Sequence, residues 1–184
     1  MQCVLENKKR KMRQAWIKNI NMNSLSYKKI FTSLSIIILI FLLDRLTKIY
    51  VINLADNFSD LKITLTNFLN IILVWNSGIG FGLFQLDERI AYNAVTILIV
   101  IINFVIIYLL IYSGGFQKIL FSIILGGSFG NLYDRIYYSA VPDFIDLNYN
   151  GYHWFVFNVA DIFISIGILT LVFLEFFMKK NNEK

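Results

Sequence analysis

The chain is nearly devoid of the residues that build redox and metal chemistry: its 184 residues include one cysteine, Cys3, and one histidine, His153. A single cysteine allows no internal disulfide and says nothing about redox compartment. One cysteine and one histidine cannot assemble a conventional zinc centre, so metalloprotease chemistry is excluded and neither metal nor cofactor is expected. Charge is scarce too, at 16% of residues against 57% hydrophobic. Nothing repeats internally, and no stretch reads as a soluble domain.

What is present is a set of apolar runs. At about 1.5 Å per residue a helix needs about 20 residues to cross a bilayer, and such runs lie near 30–50, 92–113, 118–138 and 155–178. The expectation is a membrane all-α protein with a small β element and four transmembrane helices. A fifth candidate, 68–86, is interrupted by Asn70, Asn76, Ser77 and glycines 78, 80 and 82. A fifth crossing would also export the C-terminal lysines.

Orientation follows from charge, because short cytoplasmic flanks collect Lys and Arg. Lys8, Lys9, Arg10, Lys11, Arg13, Lys18, Lys28 and Lys29 precede the first span; Lys179, Lys180 and Lys184 follow the last. Both termini are therefore expected in the cytoplasm. The organisation reads as a basic, disordered leader over 1–27, a four-span domain over 28–180 and a short tail over 181–184. The net charge of +5 comes mainly from the leader; a juxtamembrane basic cluster meets anionic lipid and sets topology more readily than it binds nucleic acid, which is not an expected partner. The leader lacks the apolar core and cleavage site of a secretory signal, and Met22 is an alternative start.

The segment 51–91 is expected outside the cytoplasm. Residues 62–66 alternate polar and apolar, and 71–75 form a β-rich run ended by Asn76, Ser77 and Gly78, which predicts a small sheet. Trp75, Phe81 and Phe84 would let it rest on the membrane surface. The second outer loop, 139–154, mixes Pro142, acids, Tyr149, Tyr152 and Trp154 in the same way.

The polar residues of the spans gather toward one leaflet. Asp44, Thr47 and Lys48 fall near the outer end of the first span, Asn131, Asp134 and Arg135 near that of the third, and Asn158 and Asp161 open the fourth. Asp44 and Asp161 lie roughly 10 Å inside the outer boundary at helical rise. Gly127, Gly130, Asn131 and Asp134 recur on one helix face, and such stripes should turn inward, since lipid offers polar groups no partners. Each also has a plainer reading. The glycines suit close helix packing, Asp44 and Lys48 form a structural pair within one turn, Asp134 pairs with Arg135 or another cation, and Asn103 hydrogen-bonds between helices.

Asp143 and Asp161 resist the plainer reading, having no cation near them in sequence. Two carboxyls in one poorly solvated pocket cannot easily both ionise, so one keeps a proton while the other takes one from water. That is the chemistry of aspartic proteases. Two patterns mislead. Gly126-Gly127-Ser128-Phe129-Gly130 matches a nucleophile elbow, yet Ser128 belongs to a membrane helix and His153 to an aromatic surface loop. Gly78-Ile79-Gly80-Phe81-Gly82 opens no βαβ unit.

In order, Asp44-Arg45-Leu46-Thr47-Lys48, Asn76-Ser77-Gly78, Gly126 to Arg135, Val141-Pro142-Asp143-Phe144-Ile145 and Phe157-Asn158-Val159-Ala160-Asp161 resemble the lipoprotein signal peptidase family, or signal peptidase II. The likeness covers residues 28–180. It implies a multi-pass aspartyl endopeptidase of the bacterial inner membrane, active at the extracytoplasmic leaflet. The implied reaction cuts signal peptides from diacylglyceryl-modified prolipoproteins just before the lipidated cysteine. By position, Asp143 and Asp161 match the family's catalytic pair, and Asn76 and Arg135 match residues holding the substrate backbone. Asp44, Asn131, Asp134 and Asn158 match supporting polar positions. Membrane lipid and globomycin-type inhibitors are implied partners, and the sheet between helices 1 and 2 corresponds to an extracytoplasmic β-cradle. Phe155 departs from a frequent proline, and Ile79-Gly80 from a pair of small residues. A proton-coupled transporter or a non-catalytic scaffold are the rival readings; a transporter's acids should connect both faces, whereas these crowd one.

Overall fold

The computed structural model describes the backbone of residues 2–58, 61–78, 88–149 and 152–182, and the side chains of 27–58, 61–78, 89–149 and 152–177. In chain order the elements are α1 (Gln2–Asp56), β1 (Lys62–Thr66), β2 (Leu69–Asn76), α2 (Glu88–Tyr112), α3 (Gly115–Tyr138), β3 (Val141–Tyr149), β4 (Tyr152–Phe157) and α4 (Val159–Asn182). Residues 1–35 and 36–184 are two compact units. The first is the leading part of α1; the second holds the remaining elements and the polar residues considered below.

Composition predicted disorder through residue 27, whereas α1 begins at Gln2. No proline or glycine occurs before Gly78, so nothing in α1 removes a backbone donor or invites a break. Among the described residues, three helices are long and apolar enough to cross a membrane: Tyr27–Asp56, Arg89–Tyr112 and Val159–Phe177. α3 has comparable length but carries Gln117, Lys118, Asn131, Asp134 and Arg135. Of these, Asp134 and Arg135 are buried.

The sheet is larger than predicted. All four strands join in the order β1-β2-β3-β4, every pair antiparallel. The loop between α1 and α2 supplies only the first two. Residues 155–157, expected to open the last span, instead end β4, and α4 starts at Val159. A run of consecutive apolar residues reads equally as buried strand or helix, which is why periodicity misplaced this boundary. Phe81, Phe84 and glycines 80 and 82 lie outside the described residues. Trp75 is partly exposed, its ring 5.3 Å from that of Tyr138.

The second unit is inverted relative to a water-soluble protein. Ile97, Phe104, Leu169 and Phe173 are exposed, while Asp44, Lys48, Asp134 and Asn158 have no accessible surface. Large apolar side chains facing outward suit a hydrocarbon solvent, and the polar groups must then find one another inside. Close approach of helices makes this possible. A Cβ on Gly127 would stand 2.7 Å from the Ala160 carbonyl oxygen of α4, and one on Gly130 would collide with the Asp44 carboxylate of α1. The small-residue stripe of α3 therefore admits a helix on either side. Asn103 of α2 is buried as expected, but neither of its amide atoms has a partner among the described residues, contrary to the interhelical hydrogen bond predicted for it.

Gly127→Ala and Gly130→Ala are expected each to destabilise the protein by about 1–3 kcal/mol through overpacking. Gly114→Ala, where nothing lies within 4 Å, should leave it unchanged. Thermal unfolding in detergent measures the difference.

Candidate functional site

Asp161 owes its position to the start of α4. Asn158 Oδ1 accepts from the Asp161 backbone N–H at 3.1 Å, and Asp161 Oδ2 accepts from the Asn158 backbone N–H at 3.1 Å. This reciprocal pair is a capping box, which satisfies two donors that a helix start leaves free. The spacing Asn-x-x-Asp before an apolar run carries that signal. Asp161 Oδ1 accepts from Asn131 Nδ2 of α3 at 2.8 Å.

Asp143 lies near the start of β3, paired with Val74 of β2. Asn158 Nδ2 donates to its Oδ1 at 2.6 Å, and Asn76 Nδ2 donates to its Oδ2 at 2.8 Å. Asn76 is itself fixed by a turn, its Oδ1 accepting from Gly78 N–H at 2.7 Å. Gly78 has φ 75°, and a Cβ there would meet the Arg135 guanidinium at 2.6 Å, so glycine suits both the left-handed backbone and the close approach. Asn158 thus bonds to both acids at once. Burial pushes the Asp143 carboxyl above the ordinary carboxylate range; the Asn76 and Asn158 hydrogen bonds oppose this, and the nearby Asp161 charge adds to it.

Behind the pair lies a second cluster. Lys48 Nζ of α1 donates to Asp44 Oδ2 at 2.7 Å, to Asn131 Oδ1 at 2.8 Å and to Asp134 Oδ2 at 2.6 Å. Arg45 pairs with the other oxygen of Asp134. Asp44 Oδ1 accepts the Ala160 N–H at 2.9 Å, in the first turn of α4. Two acids and two bases leave the cluster with no net formal charge, the condition for keeping ions out of water. Asn131 joins the clusters, accepting from Lys48 and donating to Asp161.

The expected pairing of Asp44 with Lys48 is present, and of the two options open to Asp134, Arg135 or another cation, the second holds: it pairs with Lys48 and Arg45. Sequence neighbours one position apart on a helix do not face each other. Arg135 is buried, with Nε and Nη1 lacking a partner among the described residues; its guanidinium carbon lies 5.5 Å from the centre of the Tyr92 ring, and its backbone carbonyl accepts from Tyr92 Oη at 2.7 Å. Lys48 and Tyr92 had been assigned no site role. For Lys48 the signal was a cation within an apolar span; Tyr92 carried none. His153, expected merely to lie at the interface, bonds to Asp146. Seven of the eight predicted site residues fall into two linked groups: Asn76, Asp143, Asn158, Asp161 and Asn131 form one, and Asp44 and Asp134 attach through Lys48. Arg135 stands against the Asn76–Gly78 turn. A groove of about 470 Å³ opens beside Asp161, lined by Phe155, Phe157, Ile162, Ser165 and Leu169.

A family model described as Signal peptidase (SPase) II matches residues 36–177. The chain is similar to the lipoprotein signal peptidase of Pelagibacter ubique (strain HTCC1062), 50% identical over 165 residues, covering 89% of this chain and 99% of that one. It is also similar to that of Aquifex aeolicus (strain VF5), 38% identical over 148 residues, covering 79% and 86%. Two solved structures titled as bacterial membrane enzymes superpose on it. One gives a TM-score of 0.60 at 26% identity, covering 84% of this chain and 93% of the other; the second gives 0.62 at 28%, covering 78% and 92%.

Lys48→Met removes the cation shared by Asp44 and Asp134, leaving buried charge uncompensated. The expected loss is about 3–5 kcal/mol of stability, read as a lower unfolding midpoint in detergent. Lys48→Met combined with Asp44→Asn, which removes the carboxylate left without its paired cation while Asp134 keeps Arg45, should recover part of it.

Proposed function

The chain belongs to the signal peptidase II family of aspartic peptidases, which cleave signal peptides from prolipoproteins, and on that premise we propose that Asp143 and Asp161 are its catalytic pair. The observation that carries the assignment is Asn158, whose amide and backbone bond to both acids and hold them at one place. Like charges in a poorly solvated site cannot both persist, so one carboxyl retains a proton. Burial and the neighbouring charge raise the proton affinity of Asp143, making it the member that donates to the scissile carbonyl oxygen. Asp161 then takes a proton from the attacking water. As the tetrahedral intermediate collapses, that proton passes to the leaving amine and Asp143 is reprotonated.

Asn76 and Arg135 hold the substrate backbone in this reading, Arg135 offering buried donors that the described residues leave unpartnered. Asp44, Asn131, Asp134 and Asn158 support the acids. The groove beside Asp161 is apolar along α4, which suits a substrate that is itself lipid-borne. The protein is multi-pass; we take α3 as a span as well, the third of four, within a peptidase domain over 28–180, with both termini cytoplasmic and the acids at the extracytoplasmic leaflet of a bacterial inner membrane. Cleavage then falls just before a diacylglyceryl-modified cysteine, and globomycin-type peptides block the site.

Asp143→Asn and Asp161→Asn should each reduce cleavage of a diacylglyceryl-modified prolipoprotein on the order of 10⁴-fold or more, as losses of acid–base partners do, while unfolding stays cooperative. An unlipidated control should remain uncut, and a globomycin-type inhibitor should stop the wild type. Normal processing by both variants refutes the assignment.

Because Asp143 must be protonated to act, activity should fall as pH rises through its raised pKa. Asn76→Ala deletes a hydrogen bond that favours the ionised form, so the alkaline limb of its kcat–pH profile should move to higher pH. An unmoved or lowered limb contradicts Asp143 as the acid.

A further inference from the structure

β3 carries a second buried carboxylate three residues beyond Asp143, and the chemistry above does not use it. Asp146 has no accessible surface. Its Oδ2 accepts from Asn70 Nδ2 of β2 at 2.9 Å, and its two oxygens lie 2.8 and 2.9 Å from His153 Nδ1 of β4. One side chain therefore ties together three strands. Asn70 and Asn76 form matching contacts along β2, each donating its amide to an aspartate of β3.

A local irregularity makes the His153 contact possible. The β3–β4 register shifts between Leu147 and Asn148, so that His153 rather than Trp154 stands opposite Asn148. Residues two apart on a strand share a face, which brings His153 to the Asp146 side. The β2–β3 register also shifts, between Ile71 and Val74, interrupting regular backbone pairing in the stretch between Ile145 and Asp143. Where the ladder is broken, side-chain bonds on either flank must hold the strand. Burial alone would raise the Asp146 pKa, but hydrogen bonds from His153 and Asn70, with the charges of His153 and Lys62, outweigh it and hold the carboxyl below its ordinary range. Asp146 is then an ionised acceptor, and His153 Nδ1 must be the protonated nitrogen facing it.

We infer that Asp146, acting with Asn70 and His153, is a positioning residue for cleavage, holding β3 in the register that presents Asp143 to the substrate. This rests on Asp143 being a catalytic acid. A displacement of about 1 Å at a reacting group costs on the order of 100-fold in rate, so a loosened strand should be felt in kcat before it is felt in binding.

The test measures kcat and KM per folded molecule of the full chain in detergent, with a diacylglyceryl-modified prolipoprotein as substrate. Asp146→Ala should lower kcat by about 10- to 100-fold with KM changed less than about threefold. Asp146→Asn should recover most of the loss, because an amide still accepts from His153 and pairs with a rotated Asn70. His153→Phe, at a half-exposed side chain, should fall between them, and it decides the matter on the same readout if Asp146→Ala does not fold. Unchanged kcat in the folded variants, or a loss that only follows the folded fraction, overturns the inference. Wild-type cleavage by Asp143→Asn would instead remove its premise, a separate result read in a separate variant.

Discussion

Lys48 is the constraint around which the rest is arranged. An ammonium with no accessible surface, in a helix whose outer face is apolar, is tolerable only if carboxylates and carbonyls surround it. Its three hydrogen bonds reach Asp44 on its own helix and Asn131 and Asp134 on α3. Asp44 in turn receives the first turn of α4 through Ala160 N–H. Satisfying one cation therefore sets the spacing of three helices, and Gly127 and Gly130 are the positions where that spacing leaves no room for a side chain.

The proposed catalytic acids inherit their geometry from this arrangement. Asn131, held by Lys48, directs its amide to Asp161, while the capping box fixes Asp161 to the helix start from the other side. Asp143 arrives from the sheet rather than the bundle, steadied by Asn76 of a neighbouring strand. Asn158 closes the gap between the two supports. A helix terminus and a strand start thus converge on one point, which allows two carboxyls to be close without sharing an element. Protease chemistry of this kind needs unequal acids. In the proposed pair the strand residue is buried and pushed toward its neutral form, while its partner caps a helix.

Much of this was legible in the residues. Apolar runs marked the helices, carboxylates without neighbouring cations singled out Asp143 and Asp161, and the i, i+3, i+4, i+7 stripe of α3 told which face turns inward. The alternation of 62–66 and the β-rich run before Asn76 located β1 and β2. The second hairpin was missed because 152–157 is almost wholly apolar or aromatic, so the period-two signal of a half-solvated strand has nothing to alternate with. Asp146 was overlooked for a related reason: its partners lie on other strands, and the bulge that turns His153 toward it leaves no mark in composition.

Residue chemistry by itself determined that the chain belongs in a membrane, and it singled out Asp143 and Asp161 as the acids with no cation near them in sequence. The tertiary structure alone decided who holds whom. Asp134 chose Lys48 and Arg45 over its neighbour Arg135, and Asn103 found no partner among the described residues. A helix projects adjacent residues in directions about 100° apart, so the partner of a buried charge is set by which helix packs across from it.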